Sequence, residues 1–111
     1  MKKAIKKSND DNVATALENI DLNEVVQIIS EKNDKLGEIQ AIESIPFGNK
    51  IALYDIKEGE NISKYGHIIG KSIKAISKGR LVHVHNVKSN RVDIPEMAKK
   101  EIIKQMGIKV G

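Results

Sequence analysis

At 111 residues the chain is long enough for one domain with a single modest core. It has no cysteine, no tryptophan, one phenylalanine and two tyrosines, which excludes disulfides, thiolate chemistry and cysteine zinc sites and requires an aliphatic core. The formal charge of +4 comes from 19 basic and 15 acidic residues; these interleave along the chain and lack an aromatic platform, which suits a small anionic substrate better than nucleic acid.

In chain order, the lysine-rich opening carries a short first strand around Ala4 and Ile5. No apolar stretch follows it, which speaks against a signal peptide, and no segment approaches the roughly 20 apolar residues of a membrane span. A cytoplasmic chain is expected. Ser8 to Asn12 is a polar turn, and Asp11 is placed to cap a short helix over Val13–Leu17. Glu24–Ile29 reads as a strand of β-branched residues, Ser30–Leu36 as a charged loop, and Gly37–Ile42 as an alternating strand. After the turn at Pro46-Phe47-Gly48-Asn49 come strands over Lys50–Leu53, Asn61–Ser63, His67–Ile76 and Arg80–His85. Pro95 opens an amphipathic helix over residues 95–106, with Met97, Ala98, Ile102 and Met106 on one stripe and Gly107 as its cap. That stripe packs on its own domain or docks another chain.

Two features stand out. Ile56-Lys57-Glu58-Gly59 and Ile76-Ser77-Lys78-Gly79 share one pattern, each leading into a strand, with glycine where a turn needs positive φ. The second feature is His83-Val84-His85-Asn86, which holds two of the chain's three histidines. On a strand, residues i and i+2 share a face, about 6.5–7 Å apart, so both imidazoles would reach one ion or one substrate. Asn86 would end that strand.

The run Ile51–Glu60, then Lys64-Tyr65-Gly66, Ile69-Gly70, Lys78-Gly79 and Val82–Asn86, resembles the SAF domain of the altronate dehydratase family. That family also includes galactarate dehydratase and the two-subunit sulfolactate sulfo-lyase, and Asp11-Asn12-Val13-Ala14 resembles its opening motif. The likeness covers most of residues 2–90. It departs at Arg80, Leu81 and Val84, where the family often has glutamate, tryptophan and threonine or serine, and it assigns nothing to His67.

The resemblance implies a mainly β, β-clip (SAF-like) fold over residues 1–90; the short N-terminal helix is read from the residues, and the C-terminal helix lies outside the likeness, in an extension over 91–111. It implies the small subunit of a two-chain sugar-acid dehydratase, a hydro-lyase inactive without a large catalytic subunit. The expected cofactor is a divalent metal, iron(II), magnesium or manganese, completed by that subunit. The substrate is a small hydroxy acid, with altronate, galactarate and sulfolactate all open, and the chain itself is a candidate homo-oligomer. The alternatives are a non-catalytic SAF module that holds a carbohydrate or sugar acid, and an assembly aid like the SAF-type domains of flagellar chaperones.

Elimination of water from a 2,3-dihydroxy acid needs a base for the proton α to the carboxylate, stabilisation of the enediolate, and an acid or metal for the departing hydroxide. His85 and His83 are the catalytic candidates, His85 first because Asn86 adjoins it. Both are also candidate metal ligands, with further ligands from the partner; otherwise they are ordinary strand histidines. Asn86, Lys64, Tyr65 and Asp11 are the substrate-binding candidates. Against these stand plainer roles: a turn closed by Asn86, a solvated turn at Lys64-Tyr65, and a helix cap at Asp11. Asp55, Glu58 and Glu60 read as solvated surface.

Overall fold

The computed structural model describes residues 1–83 and 86–89. These form nine strands: β1 Lys2–Ile5, β2 Val13–Ala16, β3 Val25–Ile29, β4 Lys35–Gln40, β5 Lys50–Ala52, β6 Asn61–Lys64, β7 His67–Ser72, β8 Leu81–Val82 and β9 Val87–Ser89. Six of them make one sheet in the order β4-β3-β1-β2-β5-β8, and β6-β7-β9 make a second. Only the β1–β3 pair is parallel.

The mainly β expectation holds, but the N-terminal helix does not. Val13–Ala16 is strand β2, paired on one side with β1 and on the other with β5. Helix propensity is a weak prior that tertiary pairing overrides. Val13, Ala14 and Ala16 are all buried, so β2 hides both of its faces, which suits a central strand of small residues. No helix occurs among the described residues, and the expected helix over 95–106 lies outside them. The strand expected over Arg80–His85 stops at Val82, and a further strand follows at Val87–Ser89.

The echo noticed around Gly59 and Gly79 is half of a larger pattern. Four times the chain leaves a strand, places an isoleucine in an isolated bridge, turns, and enters the next strand. The isoleucines are Ile20, Ile45, Ile56 and Ile76, bridged as Ile20↔Ile45 and Ile56↔Ile76. Each bridge has two reciprocal backbone hydrogen bonds of 2.8 or 2.9 Å. Three residues beyond each isoleucine sits a left-handed residue: Asn23 at φ 72°, Gly48 at 82°, Gly59 at 82° and Gly79 at 90°. A backbone bond from Glu24, Asn49, Glu60 or Arg80 back to the residue after the isoleucine closes each turn, the pattern of a type II turn.

The two bridges are therefore equivalent, and side chains repeat the equivalence. Asn19 Oδ1 accepts from the Phe47 amide at 2.8 Å, and Asp55 Oδ1 accepts from the Lys78 amide at 2.9 Å. Strand register agrees: Val26↔Ile39 matches Ile62↔Gly70, and Ala14↔Ile51 matches Lys50↔Val82. Each half builds its own core. One contains Ala14, Ile20, Ile28, Ile45 and Ile51; the other contains Val13, Ala52, Ile56, Ile62, Ile76 and Val82. Each fully buried isoleucine contributes about 1.5–3 kcal/mol.

Gly79 combines a left-handed backbone with a close approach to a neighbouring strand. Besides its positive φ, a Cβ there would collide with the Gln40 carbonyl oxygen, whereas a Cβ at Gly59 meets nothing within 4 Å. Gly79→Ala should thus lower unfolding stability by about 2–4 kcal/mol and Gly59→Ala by about 1 kcal/mol. Urea titration of the two variants checks the order.

Candidate functional site

The site is assembled at the β6–β7 hairpin and the end of β8. Tyr65 and Gly66, at φ 54° and 78°, form the two-residue turn between β6 and β7. Positive φ at both positions is the geometry that matches strand twist in a tight hairpin. Asp11 fastens this turn from the side. Its carboxylate accepts from the amides of Lys7 at 3.3 Å, Ser8 at 3.1 Å and Gly66 at 2.8 Å, with only 1% of the residue exposed. Asn12 continues the clasp: its Oδ1 accepts from Ser63 N and its Nδ2 donates to Asn61 O, both at 2.8 Å.

Asp11 therefore caps no helix. Burial alone would push its carboxyl pKa up, but the amides of Gly66, Ser8, Tyr65 and Lys7 outweigh burial and hold it below the ordinary value. Asn86 does the same work on the other side. It is 1% exposed, its Oδ1 accepts from His83 N at 2.9 Å, and its Nδ2 donates to Leu81 O at 2.7 Å. The Asn86 and Val87 amides both donate to His83 O at 3.0 Å. The chain thus turns at His83, so the extended i, i+2 geometry expected for His83 and His85 does not begin there. His83 is half-buried, and its backbone amide is held by Asn86. His85 lies outside the described residues. Asn86 closes a turn, the plainer of its two expected roles.

Between these two clasps sits a cluster of cations. Lys7 Nζ lies 4.4 Å and Lys64 Nζ 4.9 Å from the centre of the Tyr65 ring. The Tyr65 hydroxyl donates to Thr15 Oγ1 at 3.2 Å. Thr15 stands directly across from Lys50 in the β2–β5 pairing. Lys50 is held below its ordinary pKa by burial first and by the charge of Lys64 second. His83 is held below its own by burial first and by the charge of Lys50 second. Among the described residues, no ion pair to a carboxylate involves Lys7, Lys50 or Lys64. A partly desolvated ammonium such as that of Lys50, beside a second ammonium and without an ion-paired carboxylate, is costly, and such groups concentrate where an anion is bound.

Sequence reasoning found Lys64, Tyr65 and His83 and missed Lys50, Lys7 and Thr15. A lysine at the start of an apolar strand was the available signal for Lys50. It shares a sheet face with Val82 and Ala52, both in the second core, which accounts for its partial burial. His67 is exposed on β7. Glu58 and Glu60 are exposed as expected, and so is Asp55, though its carboxylate caps the Lys78 amide. Among the described residues, no three His, Cys, Asp or Glu converge on a point that could hold a metal.

A family model for the altronate/galactarate dehydratase SAF domain matches residues 2–90. The chain belongs to this family. It is 40% identical over 94 residues to altronate dehydratase of Bacillus subtilis, covering 85% of this chain but 18% of that protein. It is 40% identical over 58 residues to (2R)-sulfolactate sulfo-lyase subunit alpha of Chromohalobacter salexigens, covering 52% of this chain and 62% of that one. Galactarate dehydratase (L-threo-forming) of Escherichia coli is 36% identical over 64 residues, 53% of this chain and 12% of that protein. This SAF chain thus spans under a fifth of the dehydratases and under two thirds of the first sulfo-lyase subunit. It is a member of a lyase and dehydratase family. Among its described residues no helix is long and apolar enough to cross a membrane.

Asp11 has a pH signature. A depressed carboxyl pKa adds stability that is present above the ordinary value near 3.9 and is lost as pH falls through the lower folded value. Asp11→Asn should lower stability at pH 7 by about 1–3 kcal/mol, because one carboxylate oxygen is replaced by an NH2 group that cannot accept from the amides facing it. It should also flatten the acid limb of the stability curve below pH ~4. Chemical denaturation between pH 7 and pH 2 reads both effects.

Proposed function

We propose that this SAF chain is the small component of a two-component hydroxy-acid lyase of the cytoplasm. In this reading its cationic cluster forms one wall of an active site that a large catalytic partner completes. The observation that carries it is the half-buried group of Lys50, Lys64, Tyr65 and His83, without a carboxylate counterion, in a domain of the altronate/galactarate dehydratase family. The identity to a chain named as subunit alpha supports a multi-subunit enzyme.

The chemistry follows from charge. Loss of the proton α to a carboxylate spreads negative charge over the carboxylate oxygens as an enediolate. Fixed ammonium groups in a partly desolvated wall stabilise that charge more than water does. Lys50 and Lys64 supply them. His83, kept neutral near pH 7 by burial and by Lys50, is ready to accept a proton or to donate one after accepting it. His85 enters the proposal as the second acid–base candidate.

A metal ion does not fit the described residues. No three suitable ligands converge, and Lys50 sets a positive charge beside His83. The divalent metal, whether iron(II), magnesium or manganese, is accordingly assigned to the catalytic partner, and no step here passes through it.

The test is elimination activity with a co-expressed catalytic chain resembling the rest of altronate dehydratase. His83→Ala and His85→Ala should each leave co-purification intact, and at least one should lower kcat by about 10²–10⁴-fold. Full activity in both variants would overturn the catalytic role and leave a SAF module that holds a sugar acid without turnover.

A further inference from the structure

The internal repeat supplies a control for every position in the site, because each half shows what the fold does with the same place when no ligand is involved. The register that matches Ala14↔Ile51 to Lys50↔Val82 puts Lys50 in the place of Ala14. Matching Val26↔Ile39 to Ile62↔Gly70 puts Ile62 in the place of Val26; the pairing with β7 shifts register after Ile62, but counted along β6 Lys64 follows Ile62 by the same two residues that separate Ile28 from Val26. The bridge pairs put Ile76 in the place of Ile45, and seven residues on His83 in the place of Ala52. Ala14 is 1% exposed, Ile28 4% and Ala52 0%. Where one half carries core, the other carries two ammonium groups and an imidazole.

Three such replacements fall together at the β5–β6–β8 end of the second half, while the bridge isoleucines and Ile62 keep apolar twins. Val26 and Ile62 are both buried, as are Ile45 and Ile76. The exchange is concentrated there, although Asn49 and Ser72 also stand in the places of the buried Val13 and Ala41. It removes apolar burial and adds like charges that repel one another, which weakens the fold. A carboxylate in ion-pair contact would relieve the repulsion; among the described residues none makes an ion pair with Lys50 or Lys64, and the nearby Asp11 carboxylate is taken up by backbone amides. Two ammonium groups, a phenol and a threonine hydroxyl offer several donors to oxygen and one flat ring beside them.

We propose that Lys50 and Lys64, with Tyr65, Thr15 and His83, form a seat for a small oxyanion, the carboxylate end of a hydroxy acid. Lys50 is the anchor: its place between Thr15 and Val82 in the sheet holds its stem, whereas Lys64 adjoins the hairpin turn. The hydroxy acid rests on the lyase reading of this site; the oxyanion seat stands on the cluster alone.

The experiment uses the 111-residue chain by itself, labelled with ¹⁵N and ¹³C, at constant ionic strength in chloride. D-glycerate and inorganic sulfate are titrated separately, and the Lys50 and Lys64 side-chain signals are followed by NMR. Saturable shifts at both lysines with glycerate, and weaker or none with sulfate, are the expected result. Lys50→Met should fold with an unchanged or higher unfolding midpoint, since it keeps the stem and removes a repelled charge. It should weaken glycerate binding by about tenfold or more. Lys64→Met provides the same reading through a second position and should weaken binding in the same direction. Sulfate binding as tight as glycerate would keep the seat and overturn the hydroxy acid as its occupant. No saturable shift with either anion, or binding unchanged in both variants, would overturn the seat. Because no partner is present, that failure leaves the lyase reading standing. Intact binding beside a partner assay insensitive to His83 and His85 would sink the catalytic reading instead.

Discussion

The fold depends on one repeated constraint: an isoleucine bridged to its counterpart, followed three residues later by a backbone that must turn left-handed. Ile20 with Ile45 and Ile56 with Ile76 are held by reciprocal backbone bonds, and Asn23, Gly48, Gly59 and Gly79 redirect the chain into the next strand. Everything else hangs from these crossings. They set which strand follows which, bring Gly79 against the Gln40 carbonyl, and divide the interior into two small aliphatic cores. A chain with 3% aromatic residues has little bulk for one large core, and two compact sets of isoleucine, valine and alanine solve that problem.

On this scaffold one divergence between the two halves gathers charged side chains. The first half has Ala14, Ile28 and Ala52 there, whereas the second presents Lys50, Lys64 and His83. Such a substitution lowers stability, and the surroundings offset it with hydrogen bonds. Asp11 and Asn12 clasp the Tyr65–Gly66 hairpin, and Asn86 shapes the turn that presents His83. Two of the most buried polar residues in the described structure, Asp11 and Asn86, thus hold the backbone around this cluster. Buried polar groups with every partner in place rigidify their neighbourhood, which is what a preorganised binding wall requires.

Much of the strand order was legible because β3, β4, β6 and β7 carry β-branched residues in alternating or buried runs between turn residues. Strand β2 was not, because Asp-Asn followed by Val-Ala-Thr-Ala has the cap and propensity of a helix start. Only its pairing between β1 and β5, which is non-local, makes it a strand. The glycine echo was legible in the second half and hidden in the first, where Asn23 takes the left-handed place of glycine and Pro46 follows Ile45. The extended reading of His83 failed because the Asn86 side chain captures the His83 amide across a turn. Lys50 was hidden because a lysine beside an isoleucine at a strand start looks like ordinary surface until the opposing Thr15 and the neighbouring Lys64 are known.

The central claim is that this cluster faces the substrate of a catalytic partner. A crystal structure of the chain with that partner and a bound hydroxy acid tests it most directly. The account predicts a carboxylate oxygen within about 3 Å of Lys50 Nζ, with Lys64 Nζ or the Tyr65 hydroxyl as a further donor and His83 lining the same pocket. A hydroxy acid bound wholly within the partner, with Lys50 and Lys64 turned to bulk solvent, would contradict it.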